Sequence, residues 1–215
     1  MIYSNALSRA QKGRSLVGFP PDFCVVDIET TGLNPYTDSI IEIGAIRYRG
    51  GVAEDTFSSL LQPPYRYYYG GYVSPFIENL TGITNEMLEA APPSLDVLAA
   101  FYDFLGDDLV LGYNVNFDVN FLFESFVRYL GFPLKNDFID ILRMAKKLYP
   151  AMPHHRLSDM TARFGFVNEH AHRALSDCEV TADCYFEFHR EALRQYGSEE
   201  QFLKTYQKKY RLTVL

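Results

Sequence analysis

At 215 residues the chain is long enough for one sizeable core, and its 47% hydrophobic and 22% charged residues exclude wholesale disorder. A net charge of −7 argues against extensive non-specific binding to duplex nucleic acid. No apolar run approaches the ~20 residues needed to cross a bilayer, and three cysteines with no CxxC pair support neither a disulfide framework nor a zinc site. No uninterrupted apolar block follows the basic residues Arg9, Lys12 and Arg14, so a secretory signal is not expected and the expected location is cytoplasmic.

Residues 1–20 read as a polar N-terminal extension that Pro20 and Pro21 separate from the core. Residues 23–27 (FCVVD) form a short β-branched run suited to a strand buried on both faces. Ile40–Arg49 predicts a second strand, Gly50 and Gly51 a tight hairpin, and residues 56–61 a third strand, so the sheet begins antiparallel. A Pro- and Tyr-rich loop follows. The pattern then alternates: a helix over 95–105, a strand over 109–113 and a helix over 117–130. A fifth short strand at Phe138–Asp140 precedes helices at Ile141–Leu148, Leu157–Phe164 and Ala174–Tyr196. This order predicts an α/β layered fold with a mixed five-stranded sheet flanked by helices. Residues 21–197 are the expected domain, and 198–215 a basic helical appendage carrying Lys204, Lys208, Lys209 and Arg211.

Carboxylates fall at telling places. Asp27 and Glu29 are two apart at the end of the first strand, so both leave it on one face. Like charges so close repel unless a cation lies between them. Asp118 lies in the first turn of a helix, on the side that carries Phe121, Leu122, Phe126 and Tyr129. Complementing the helix dipole explains an acid in the first turn but not its apolar face. Asp177 repeats the arrangement with Val180, Thr181, Cys184 and Phe188. Burying an unpaired carboxylate is expensive, and metal coordination offsets that cost. His172, five residues before Asp177, falls on the loop leading into the same helix. Four oxygen ligands with no thiolate suit two Mg²⁺ or Mn²⁺ ions. Such a pair clamps the attacking and leaving oxygens of an in-line phosphoryl displacement, and an imidazole there takes the proton of the attacking water.

The segments VVDIETTG, NVNFDVNFL and HRALSDCEVT resemble, in this order, the three motifs of the DnaQ-like (DEDDh) 3′→5′ exonucleases. That family includes the proofreading epsilon subunit of bacterial replicative DNA polymerase. ENLTGIT and LSDMTARFG are similar to its connecting segments, and the resemblance covers roughly residues 23–190. It implies an RNase H-like fold and release of nucleoside 5′-monophosphates from a 3′ end. It also implies that Asp27, Glu29 and Asp177 hold one metal, that Asp27 and Asp118 contact the second, and that His172 is the general base. Phe117 matches an aromatic that supports the terminal nucleotide, and Thr30, Leu33 and Thr81 match positions lining its pocket.

The segment from Tyr65 to Tyr72 (YRYYYGGY) departs from the family pattern. It reads either as a stacking platform for bases or as a loop packed on the surface. His154, His155 and Arg156, with Arg143, Lys146 and Lys147 nearby, form either a guide for a phosphate backbone or a solvated basic face. The expected substrate is the 3′ end of single-stranded or mismatched DNA, with RNA as the alternative because metal chemistry does not read the sugar. A polymerase subunit or a second copy of the chain is the expected protein partner. A catalytically silent polymerase-binding module is the rival from another class.

Overall fold

The computed structural model describes residues 12–66, 70–210 and 213–214, with side chains described as far as residue 206. The elements in chain order are β1 (Ser15–Val17), β2 (Phe23–Thr30), β3 (Ile40–Arg49), β4 (Val52–Leu60), α1 (Pro75–Thr81), α2 (Asn85–Glu89), α3 (Ser94–Leu105) and β5 (Val110–Gly112). They continue as α4 (Asn116–Tyr129), β6 (Phe138–Asp140), α5 (Ile141–Leu148), α6 (Leu157–Phe164), α7 (Ala174–Tyr196), α8 (Glu199–Tyr210) and β7 (Thr213–Val214).

The seven strands form one mixed sheet in the order β4-β3-β2-β5-β6-β1-β7. The first hairpins make β3 antiparallel to both β2 and β4, while β5 adds to the other edge of β2 in parallel. Gly50 and Gly51 turn the β3–β4 hairpin at φ +60 and +77, a left-handed backbone that glycine adopts without steric penalty. Alternate residues of β2 feed two cores. Phe23 and Val25 pack with α7 residues such as Cys178, Tyr185 and Phe188. Cys24, Val26 and Ile28 pack with α3 and α4 through Phe101, Leu122 and Phe126. The sheet is therefore buried on both faces, as the near-continuous apolar run of β2 requires.

The sheet has two strands more than the sequence predicts. Ser15–Val17, within the expected N-terminal extension, pairs in parallel with β6 and β7. Neither three- nor two-residue strand has a periodicity that sequence reading can detect. The expected appendage also contributes to the core, because α8 buries Phe202 and Tyr206 completely. In the expected loop, α1 and α2 appear. Ser74 caps α1 by accepting from the Ile77 N–H, Pro75 opens the helix and Gly82 ends it at φ +70. The residues Tyr67, Tyr68 and Tyr69 of the aromatic loop lie outside the described residues, as do residues 1–11 and Arg211.

Candidate active site

The site lies at the carboxyl end of β2, where this strand outruns its parallel neighbour. Strand β5 ends at Gly112, opposite the middle of β2, so the later residues of β2 have no strand partner on that edge. Asp118 serves one of them: its Oδ1 accepts from the Ile28 N–H at 3.2 Å. Burial of Asp118 to 4% exposure follows from its place on the apolar stripe of α4, above Phe121 and Leu122.

Asp27 and Glu29 are half-buried and lie directly opposite Gly44 and Glu42 of β3. Residues paired across two antiparallel strands share a face, and this is the face that α7 covers. Gly44 sets how closely α7 can approach: a Cβ there would collide with the backbone of Ala174 and Leu175. Beneath the turn, the Cys178 thiol donates to the Gly44 carbonyl at 3.2 Å. All three cysteines are free and buried.

The first turn of α7 is tied down from several sides. Glu42, only 2% exposed, accepts from Arg173 Nε and Nη2 (3.1 and 2.7 Å to Oε1) and from the Ala174 N–H at 3.0 Å. Asp177 accepts from the Asn168 side chain at 2.6 Å and from the His172 backbone N–H at 3.2 Å. His172 itself adopts φ +63, a left-handed conformation uncommon outside glycine. That kink turns the chain so that its backbone N–H meets Asp177.

Ligand atoms of Glu29, His172 and Asp177 all lie within 4.8 Å of one another, a spacing that a single metal ion can bridge. Asp27 and Asp118 fall outside that tight trio, yet they share its electrostatic field. Burial raises the proton affinity of Asp27, and the charges of Asp118, Asp177, Glu29 and Glu42 raise it further. Glu29 is pushed up to about 8 by burial and then by Asp177, Glu42 and Asp118. Burial also raises Asp118 and Asp177, the latter opposed by its bonds to Asn168 and His172. One positive side chain, Arg173, offsets Glu29, and it is already committed to Glu42. An acidic, oxygen-rich cluster whose members repel one another fits a divalent cation.

The expected substrate residues divide. Phe117 is half-buried, its ring 4.8 Å from that of Phe121 beside Asp118. Leu33 is 84% exposed just past β2. Thr30 donates its hydroxyl to the Gly32 carbonyl at 2.6 Å. Thr81 is buried at the end of α1, where its hydroxyl donates to Ile77 O and accepts from Ile83 N–H. That hydroxyl serves the helix terminus.

Several residues that shape the site carry no motif position noted above. Glu42 had a signal, because an acid inside IIEIG on a two-faced buried strand must find a partner. Asp140 is another. It accepts from Asn114 N–H (3.0 Å), the Asn116 side chain (3.1 Å) and Leu142 N–H (3.2 Å), holding the turn that leads into α4. Asn114, at φ +61, is the left-handed residue of that turn.

A mixed sheet with acids gathered at the end of a central strand, helices on both faces and a histidine at the rim defines a nuclease of the RNase H-like fold class. The model of the RNase T exonuclease family matches residues 24–185, and the chain belongs to this family of 3′→5′ exonucleases. DNA polymerase III subunit epsilon of Aquifex aeolicus is 33% identical over 175 residues, covering 81% of this chain and 84% of that protein. The PolC-type DNA polymerase III of Bacillus subtilis is 37% identical over 161 residues, 74% of this chain but 11% of that far longer protein. Among solved structures, Escherichia coli exonuclease I in complex with single-stranded DNA superposes with a TM-score of 0.70 at 21% identity, over 89% of this chain and 43% of that one. Exonuclease X in complex with 5′-overhanging duplex DNA gives 0.60 at 23% identity, over 84% and 97%. These likenesses confirm the fold.

Proposed function

We propose that the chain removes nucleotides one at a time from the 3′ end of single-stranded or mismatched DNA, releasing nucleoside 5′-monophosphates. Asp27, Glu29, Asp118 and Asp177 would hold two divalent cations, Mg²⁺ or Mn²⁺, with His172 as general base. The observation that carries the reading is the convergence of Glu29, His172 and Asp177 within 4.8 Å beside the mutually repelling Asp27 and Asp118. DNA is favoured over RNA because the relative that this chain matches over most of both lengths is a DNA polymerase III subunit. The same likeness supports a polymerase subunit as partner.

Two cations, when bound, would supply Lewis acidity at the attacking and leaving oxygens. The protein's own part is orientation and proton transfer. Asp177, fixed by Asn168 and by the His172 N–H, keeps the histidine loop against the carboxylates. A ring nitrogen of His172 takes a proton from the attacking water as its oxygen joins phosphorus. The bond from phosphorus to the 3′-oxygen of the preceding nucleotide breaks, that oxygen takes a proton from solvent water, and the His172 imidazolium returns its proton to solvent. Phe117, at the start of α4, offers its ring face to the terminal sugar or base.

The deciding experiment follows 5′-labelled and 3′-labelled strands of DNA and of matched RNA with Mg²⁺, Mn²⁺ or excess chelator. The expected result is a ladder from the 5′-labelled DNA, early mononucleotide from the 3′-labelled DNA and silence in chelator. Faster decay of RNA makes the chain an exoribonuclease. Activity in chelator removes the metal reading, and no activity on either polymer points to a silent polymerase-binding module.

A further inference from the structure

A second cleft opens along the same edge of the sheet, past the ends of β5 and β6. Tyr113, Asn114, Lys146, His154, Arg156 and Leu157 line it, and no carboxylate does. Clefts elsewhere on the chain carry acids, Asp107 and Asp137 in one and Glu42 and Glu179 in another. Lys146, His154 and Arg156 are exposed, and none forms a salt bridge among the described residues, whereas Arg143 on the same helix as Lys146 pairs with Asp140. In a chain of net charge −7, Lys146 and Arg156 are a local concentration of uncommitted positive charge.

The backbone beneath Lys146 and Arg156 is pinned. The Tyr113 hydroxyl donates to the His155 carbonyl at 2.6 Å, and the His155 ring bonds the Tyr149 carbonyl at 2.9 Å. The 149–156 loop is thereby clamped onto the end of β5. Asn114, on the other wall, is held by Asp140. Tyr113 and Asn114 directly follow β5, the parallel neighbour of β2, and adjacent strands lie about 5 Å apart. One wall of the cleft is thus about one strand spacing from the strand that carries Asp27.

We infer that this cleft is a phosphate subsite for the strand on the 5′ side of the scissile bond, with Arg156 and Lys146 neutralising one or two internucleotide phosphates. Leu157 and the Tyr113 ring form the apolar wall beside the sugar. The inference rests on the reading of the carboxylate centre as a 3′-end hydrolase. It explains how an acidic protein holds a polyanion: charge is placed where the strand runs, and the subsite takes DNA and RNA alike.

The double variant Lys146→Gln, Arg156→Gln tests it. Binding of a 5′-fluorescein ten-nucleotide strand is read by anisotropy in chelator, across a salt series. The variant is expected to bind roughly 10-fold more weakly. Its salt dependence should flatten by roughly 0.7 to 1.4 in slope, the counterion release of one or two single-strand phosphates. In Mn²⁺, kcat/KM on the ten-nucleotide strand should fall by a similar factor relative to kcat/KM on thymidine 5′-monophosphate p-nitrophenyl ester, which has no upstream phosphate. Unchanged affinity and slope, or equal losses on strand and ester, would overturn the subsite. If wild type hydrolyses neither substrate, the proposed function fails, and the anisotropy series still decides the subsite.

Discussion

His172 differs from the four acids in chemistry and in exposure, which separates its effects from theirs. His172→Ala should lower the rate by about 10²–10⁴-fold, the usual contribution of a general base, while Mn²⁺ affinity measured by calorimetry stays within a few-fold. Equal losses of rate and affinity would make the imidazole a ligand, a role its 4.8 Å grouping with Glu29 and Asp177 permits sterically. The carboxylates predict a pH dependence of the metal-free protein. Glu29 rises from an ordinary 4.5 to about 8 in the fold. Between those values the folded chain retains a proton that the unfolded chain has released, so stability declines as pH rises through this window. Asp27, Asp118 and Asp177 shift in the same direction. Thermal melting in chelator should show Tm falling from about pH 5 to above pH 8, with Mg²⁺ or Mn²⁺ reversing the fall. A Tm that climbs across that range would show that the acids are not forced together.

Among the elements, the contact of α7 with β3 controls the geometry of the centre. Gly44→Ala would drive a methyl into the backbone of Ala174 and Leu175. Overpacking of this kind costs about 1–3 kcal/mol, and it displaces the turn that carries Asp177. Denaturant unfolding should register the modest loss, while activity should fall by more than that loss explains; a fully active variant would mean the helix can retreat without moving Asp177. The Glu42–Arg173 pair is asymmetric, Glu42 being buried and Arg173 reaching solvent. Arg173→Ala leaves a buried acid with a single backbone donor and should cost about 3 kcal/mol. Glu42→Gln leaves the freed cation able to hydrate and should cost less. The reverse ranking in urea denaturation would place the burial on the other partner.

For the molecule as a whole, α8 is part of the exonuclease core. Phe202 is fully buried and packs edge-on to Tyr196 and beside Phe19 and Tyr206. Phe202→Ala should destabilise by about 3–5 kcal/mol, and urea unfolding measures it. A loss under 1 kcal/mol would mean that α8 docks only loosely. No helix among the described residues is long and apolar enough to cross a membrane. The chain spans about an eighth of the PolC-type relatives it matches and less than half of exonuclease I.

Residue order alone determined the strand–helix alternation of the central domain, because β2, α4 and α7 each show their buried faces by periodicity. It also singled out Asp118 and Asp177 as candidate metal ligands, since an acid on an apolar helix face needs a partner wherever it sits. Only the folded chain decided how those positions are held. The Gly44 approach, the Glu42–Arg173 clamp, the Asp140 anchor under Asn114 and the two extra strands all depend on segments far apart in the chain. Local periodicity is silent about distances across a sheet. Proximity of that kind exists only once β3 has turned back on β2 and α7 has settled over both.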